Sequence, residues 1–191
     1  MTHIFDPEER HKLDNPGRRA AMPPEETLVK AGIKPADILL DVGCGTGYFA
    51  IPAAKMVGPK GLVYALDASG VMLAELRSKT ASTGIFNIHT LQTGQGRLAI
   101  PEADFTMALI SNVLHEVEDK VTFLFTIAAA LKAGARLSVI EWKKAQTPEG
   151  PPVKERISED DMQVMLKKAG FTEPVSSDLT PSSCLYTCVK K

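Results

Sequence analysis

Leu39 to Ala50 reads LLDVGCGTGYFA, a buried apolar run that ends at Asp41 and Val42 and passes through Gly43, Gly45 and Gly47 into a predicted helix. Three glycines in five residues exceed what an ordinary turn needs. A missing Cβ permits positive φ and lets a ligand approach the backbone closely. The helix start that follows offers unpaired N–H donors to a carboxylate or phosphate. A nicotinamide or flavin fingerprint, G-x-G-x-x-G/A, also follows a first strand. Here the sixth residue counted from Gly43 is Tyr48, so the close helix-to-pyrophosphate approach is not provided. The G-x-G-x-G spacing suits an amino-acid carboxylate and a ribose better. Asp67 closes the next apolar run, LVYALD, 22 residues beyond Gly45. A carboxylate placed there would accept hydrogen bonds from both ribose hydroxyls of an adenosyl group.

Outward from this turn, the apolar period alternates between strand-like and helix-like. Strands are predicted at Asp37 to Gly43, Leu62 to Asp67, Phe86 to Leu91, Phe105 to Ile110 and Leu137 to Trp142, with short ones at Pro174 to Leu179 and Ser183 to Val189. Between them fall predicted helices. One starts at Pro23, Pro24, Glu25 and Glu26 and stops at Gly32, and one runs from Tyr48 to Val57. Another is capped by Ser69 and reaches toward Gly84. In a fourth, Val121, Leu124, Phe125, Ala128 and Leu131 form an apolar stripe that Gly134 closes. The last has an S-x-x-D box at Ser158 and Asp161, with Met162, Met165, Leu166 and Ala169 on one face and Gly170 at its end. Repeated strand, helix, strand units imply a doubly wound α/β domain, a largely parallel sheet with helices on both faces. Such sheets bind ligands at the carboxyl ends of their strands. Residues 1–22, punctuated by Pro7, Pro16 and Gly17, read as an irregular arm; residues 23–191 read as a single domain.

Composition narrows the partners. A chain of 191 residues, 44% hydrophobic, supports one full core. With 22 Lys+Arg against 23 Asp+Glu, the formal charge of -1 provides no field to hold a nucleic-acid backbone, so a small-molecule partner is expected. The N-terminal MTHIFDPEERHK lacks the apolar core of a secretory signal, and Val121 to Leu131 is about half the ~20 residues a membrane span needs. A cytoplasmic protein with no membrane span is the expectation. Cys44 is far in sequence from Cys184 and Cys188, and the latter two would stand about 13 Å apart on a strand, too far to chelate one metal.

The motifs DVGCGTG, VYALDAS and ISNVLHEV together resemble class I S-adenosylmethionine (SAM)-dependent methyltransferases of the ubiquinone/menaquinone-biosynthesis type, over about Ile33 to Gly170. The resemblance implies a Rossmann-like seven-stranded sheet in the order 3-2-1-4-5-7-6, the last strand antiparallel. It implies that Asp41, Gly43, Cys44, Gly45 and Gly47 form the pocket for the methionine part of SAM and that Asp67 holds its ribose. Ala68 and Met72, with Gln95 and Gly96, would lie near the adenine, and Ser111 and Asn112 near the activated methyl. Two positions depart from the family pattern: Gln95 stands where relatives place an acid, and Thr106 where they carry an aspartate.

Methyl transfer needs positioning above all. A general base is required only for an acceptor that must lose a proton, and His115, four residues past Ser111, is the candidate. HEVED lacks the second histidine of a zincin helix, so no metal is expected. Trp142 would wall an acceptor pocket, and the Gln146 to Val153 segment and the N-terminal arm, with Asp14, Arg18 and Arg19, would cover it. The leading reading is a methyltransferase for a small-molecule acceptor, releasing S-adenosylhomocysteine. The alternatives are a SAM-binding protein without catalysis, structural or regulatory, and a protein methyltransferase.

Overall fold

Apolar runs that bury both strand faces need a sheet covered on both sides. The computed structural model, which describes residues 7–94 and 97–191, contains that sheet. After a 3-10 helix at Pro7–Leu13, the chain runs through α1 (Pro16–Ala21), α2 (Pro24–Lys30), β1 (Ile38–Val42), α3 (Ala50–Val57), β2 (Leu62–Asp67), α4 (Gly70–Ala81), β3 (Ile88–Gln92) and β4 (Phe105–Ser111). A 3-10 turn at Leu114–Glu116 leads to α5 (Lys120–Ala130) and β5 (Leu131–Trp142). A second such turn, Val153–Glu155, precedes α6 (Glu159–Lys168), β6 (Val175–Thr180) and β7 (Ser183–Val189). The seven strands lie in the order β3-β2-β1-β4-β5-β7-β6, with β7 antiparallel to both neighbours. This is the order the resemblance implied.

Alternation along each strand divides the core in two. Leu40, Val42 and Ile110 pack with Phe123, Leu124 and Ile127 of α5 and Met162 and Leu166 of α6. Leu39, Met107 and Leu109 face the other way, against Leu28, Ala53 and Leu76 of α2, α3 and α4. Leu39, Leu40, Leu66 and Leu109 have no solvent exposure, and burying each contributes ~1.5–3 kcal/mol. Register brings the strand ends together: Val42 pairs with Leu66 on one side and Ile110 on the other, and Ser111 pairs with Ile140.

Several expectations shift, each for a local reason. The stretch before β1 is not wholly irregular, since Asn15 caps α1 by accepting from Arg18 N. The third strand starts at Ile88; just before it, Asn87 O accepts from Val63 N of β2 while its Nδ2 donates to the carbonyls of Ala54, Gly58 and Gly61, and Phe86 is 91% exposed. On α5 the buried face is Phe123, Leu124, Ile127 and Ala128, and Phe125 points to solvent. Gly134 does not close that helix. With φ +76°, it lies in the first part of β5, where pairing with β4 jumps from Leu131 opposite Phe105 to Arg136 opposite Met107.

The departure at Thr106 falls at the amino ends of the strands, away from the glycine turn. Thr106 Oγ1 donates to Asp37 Oδ1 at 2.7 Å and accepts from Ile38 N at 3.1 Å. Arg136 Nη2 donates to both Asp37 oxygens at 2.5 and 2.6 Å, tying β1, β4 and β5 together. Removing one partner of a buried ion pair costs ~3–5 kcal/mol, and Arg136 retains some solvent contact. Arg136→Ala should therefore lower unfolding stability by about 2–3 kcal/mol in urea titration. A loss below about 0.5 kcal/mol would show that the pair does not join the strands energetically.

Candidate active site

The chain turns back on itself where β1 ends. Gly43 N and Cys44 N both donate to Leu66 O, at 2.7 and 2.9 Å, and Gly45 N donates to Asp67 Oδ2 at 2.8 Å. Ser69 N donates to the other oxygen, Asp67 Oδ1, at 2.8 Å, and Ser69 Oγ accepts from Met72 N to cap α4. The glycines serve different ends. At Gly43, φ is +72° and an added Cβ would come within 2.2 Å of Val113 Cγ2. At Gly47, φ is +91° and the obstruction is Leu76 Cδ1 at 2.4 Å. Gly47 is needed for packing against α4 and is not among the residues that line the cleft above.

That cleft holds about 1500 Å³ along the carboxyl ends of the strands. Asp41, Gly43, Cys44, Gly45, Asp67, Ala68, Met72, Ser111, Asn112, His115 and Trp142 all line it, and the strand order sets Asp67 of β2 on one side, Asp41 of β1 and Ser111 of β4 between, and Trp142 of β5 on the other. Gln95 and Gly96 lie outside the described residues. Their neighbours Thr93, Gly94 and Leu98 line the same cleft.

The electrostatics of the cleft are unusual for a folded interior. Asp41 is 2% exposed, and burial, with the Asp67 carboxylate nearby, pushes its carboxyl up to about 7. Asp67 is also raised, by burial against the opposing pull of the Ser69, Gly45 and Ala68 N–H groups. Burial pushes the Cys44 thiol up too, so it stays protonated. Four buried side-chain oxygens of cleft residues have no hydrogen-bond partner among the described residues: Asp41 Oδ2, Thr46 Oγ1, Ser111 Oγ and Asn112 Oδ1. Asn112 also holds a left-handed backbone, φ +55°. Unsatisfied oxygens cost roughly 1–3 kcal/mol each unless a ligand takes them. An amino-acid ammonium and a ribose supply the donors these acceptors lack.

Several contributors gave no local signal in the sequence. Glu141 of β5 accepts from His115, whose Nδ1 is 2.8 Å from Glu141 Oε2. Tyr48 fastens the arm: its hydroxyl donates to Met22 O at 2.6 Å, and the Arg18 guanidinium lies 4.2 Å from its ring centre. Arg156 organises the loop beside Trp142, donating to the carbonyls of Lys143, Ala145, Glu149 and Pro151 and to Thr147 Oγ1. Gly150 then approaches Trp142 so closely that a Cβ would meet the indole at 2.7 Å. Asn15 and Arg18 of the arm and Pro148 and Gly150 of the 146–153 loop lie in the cleft wall.

A doubly wound sheet in this order, with acid-ended β1 and β2 flanking a glycine turn, defines the class I SAM-dependent methyltransferase architecture. Residues 39–134, half of the chain, match a protein-family model described as "Methyltransferase domain", and the chain belongs to that family. It is 34% identical over 125 residues to the ubiquinone/menaquinone biosynthesis C-methyltransferase UbiE of Francisella philomiragia, which covers 65% of this chain and 50% of the relative. The chain spans about half the length of the curated relatives it matches. A SAM-dependent methyltransferase from Aquifex aeolicus superposes with TM-score 0.91 at 29% identity, over 98% of this chain and all of that one. The [4+2]-cyclase SpnF superposes with TM-score 0.73 at 17% identity, over 87% of this chain and 81% of that one, a likeness of fold alone. SAM is the cofactor the family implies, and the unpaired oxygens and the acid-ended strands fit it.

The raised carboxyl of Asp41 has a pH consequence. Its protonated form is favoured in the folded, ligand-free protein, so its contribution to stability is full below its ordinary value and fades as pH rises through about 7. Asp41→Asn should raise the melting temperature at pH 8 more than at pH 5, while weakening S-adenosylhomocysteine binding. Equal shifts at both pH values in differential scanning fluorimetry would contradict the assignment.

Proposed function

We propose that the protein transfers the methyl group of SAM to a small-molecule acceptor. The observation that carries this reading is the extent of the cleft, which is lined by Asp41 and Asp67 and also by Ser111, Asn112, His115, Trp142 and residues of the 146–153 loop, so that it spans the ends of β2, β1, β4 and β5. A protein that only stored the cofactor would have no use for a cleft that runs on to the end of β5. In this reading Asp67 takes the ribose hydroxyls and Asp41 faces the methionine ammonium. Ala68 and Met72 flank the adenine. When bound, SAM supplies an electrophilic methyl on a sulfonium sulfur. Ser111 and Asn112 hold the reacting end, and His115 faces the acceptor as its base. The names of the UbiE relatives suggest a quinone precursor methylated at carbon.

The arm of residues 1–22 acts as a cover on the domain of residues 23–191. It is fastened by Tyr48, by the Arg10–Glu75 ion pair and by Lys79, which reaches toward Asp14. Positioning of this kind is what accelerates a displacement that needs little covalent help. Among the described residues, no helix is long and apolar enough to cross a membrane, and a cytoplasmic site of action agrees with a water-soluble cofactor.

Calorimetric titration with S-adenosylhomocysteine tests the cofactor half of the proposal. Wild-type protein should bind, and Asp67→Ala should bind about tenfold to a hundredfold more weakly, the effect of losing hydrogen bonds to a charged group. Labelled SAM with 1,4-naphthohydroquinone then tests transfer. Folded wild-type protein that fails to bind S-adenosylhomocysteine would sink the proposal.

A further inference from the structure

Glu141 sits one residue from the end of β5, 1% exposed, between Ile140 and Trp142. A carboxyl group buried in such a place is tolerated only if its oxygens are well supplied with donors. They are: Oε1 accepts from His115 N at 3.2 Å, and Oε2 accepts from Trp142 N at 3.3 Å and faces His115 Nδ1 at 2.8 Å. With the N–H groups of His115 and Trp142 and the imidazole all converging on its two oxygens, Glu141 serves as acceptor, which puts the ring proton on Nδ1 and the lone pair on Nε2. Nε2 has no hydrogen bond among the described residues and lies 3.9 Å from Glu116 Oε1. His115 and Glu116 both line the cleft, beside Ser111 and Asn112; Glu141 does not.

Three charged groups surround the ring: Glu141 from β5, Glu116 from its own turn and Lys120 from α5. Burial pulls the imidazole down and Lys120 opposes its charge. The hydrogen bond and charge of Glu141, helped by Glu116, outweigh both, so the imidazole is a stronger base than an ordinary histidine. A buried histidine needed only to pin the turn to β5 would do so equally well from beneath the cleft.

We propose that Glu141 is a positioning residue that holds His115 in the Nδ1–H form, so that Nε2 takes the proton of an acceptor hydroxyl during methyl transfer. The inference rests on the methyltransferase reading above. The acceptor O–H bond breaks and its proton passes to Nε2. In a hydroquinone methylated at carbon, the electron pair left on oxygen passes through the ring to the adjacent carbon, which bonds the methyl carbon as the carbon–sulfur bond opens and leaves its electrons on sulfur; that ring carbon then gives up its own proton, and the oxygen takes one back, as aromaticity returns. The imidazolium, held against Glu141, then releases the proton to solvent. A carboxylate–imidazole pair of this kind fixes both the orientation and the tautomer of the base.

Histidine-labelled protein, followed by nitrogen NMR with His115→Asn to assign the signal, tests this without any turnover. Neutral His115 should carry its proton on Nδ1 and titrate above the ordinary histidine value. Glu141→Gln should move that titration down, and Glu141→Asp should restore part of it. With SAM and 1,4-naphthohydroquinone, Glu141→Gln should lose at least about tenfold in transfer rate, within the ~10²–10⁴ range of general-base catalysis, and its rising pH limb should move to lower pH. S-adenosylhomocysteine affinity should stay unchanged. A proton on Nε2, an unmoved titration in Glu141→Gln, or a loss of S-adenosylhomocysteine affinity as large as the loss of rate would overturn the proposal. Absence of S-adenosylhomocysteine binding in the wild type would instead remove the methyltransferase reading, and the NMR result would still decide the Glu141–His115 pair.

Discussion

The glycine turn is held shut against the end of β2, and the rest of the site is arranged around that closure. Gly43 N and Cys44 N share the carbonyl of Leu66, and Gly45 N reaches the Asp67 carboxylate. These bonds require the chain to reverse within a few residues with positive φ at Gly43 and Gly45, which side chains with a Cβ resist. Once the turn is closed, α3 leaves in the only direction open to it. Asp41 is brought close enough to Asp67 for the Asp67 charge to raise its carboxyl. Parallel register then aligns the ends of β4 and β5 beside them, so that Ser111, Asn112 and Glu141 arrive at the same edge.

This arrangement places function and stability in opposition. Asp41 is buried beside another carboxylate, four cleft oxygens lack partners among the described residues, and Asn112 holds a backbone conformation that few residues adopt. Polar groups left in this state destabilise a fold unless something offsets them. Here the offset comes from elsewhere in the molecule. The apolar faces of β1, β4 and β5 are fully buried, and the Asp37–Arg136–Thr106 cluster locks the opposite end of the same three strands. The cost falls at the carboxyl ends, where a ligand with donors can recover it.

Much of this is written in short-range sequence pattern. Glycine spacing, the acid at the end of each of the first two strands, and the caps at Ser69 and Ser158 all act within a few residues, and each is where the sequence placed it. Strand order followed from the family resemblance, because no local pattern encodes which strands pair. What escaped the sequence depends on distant partners. Phe125 has the spacing of a core residue, yet the sheet lies on the side of Phe123 and Ile127. Glu141 looks like an interruption in an apolar strand until His115, 26 residues earlier, is seen against it. Arg156 resembles one more surface cation, and only the folded loop reveals five acceptors around its guanidinium.

In the proposed reading, the turn between β1 and α3, with Asp41 and Asp67, holds the cofactor in a cleft that runs on to His115 and Trp142. A crystal structure of the protein with S-adenosylhomocysteine tests it most directly. The account predicts the ribose hydroxyls on Asp67, the amino-acid end beside Asp41 and the glycine turn, and the sulfur facing the space between Asn112 and His115. A ligand bound elsewhere, or one whose sulfur faces away from His115, would contradict it.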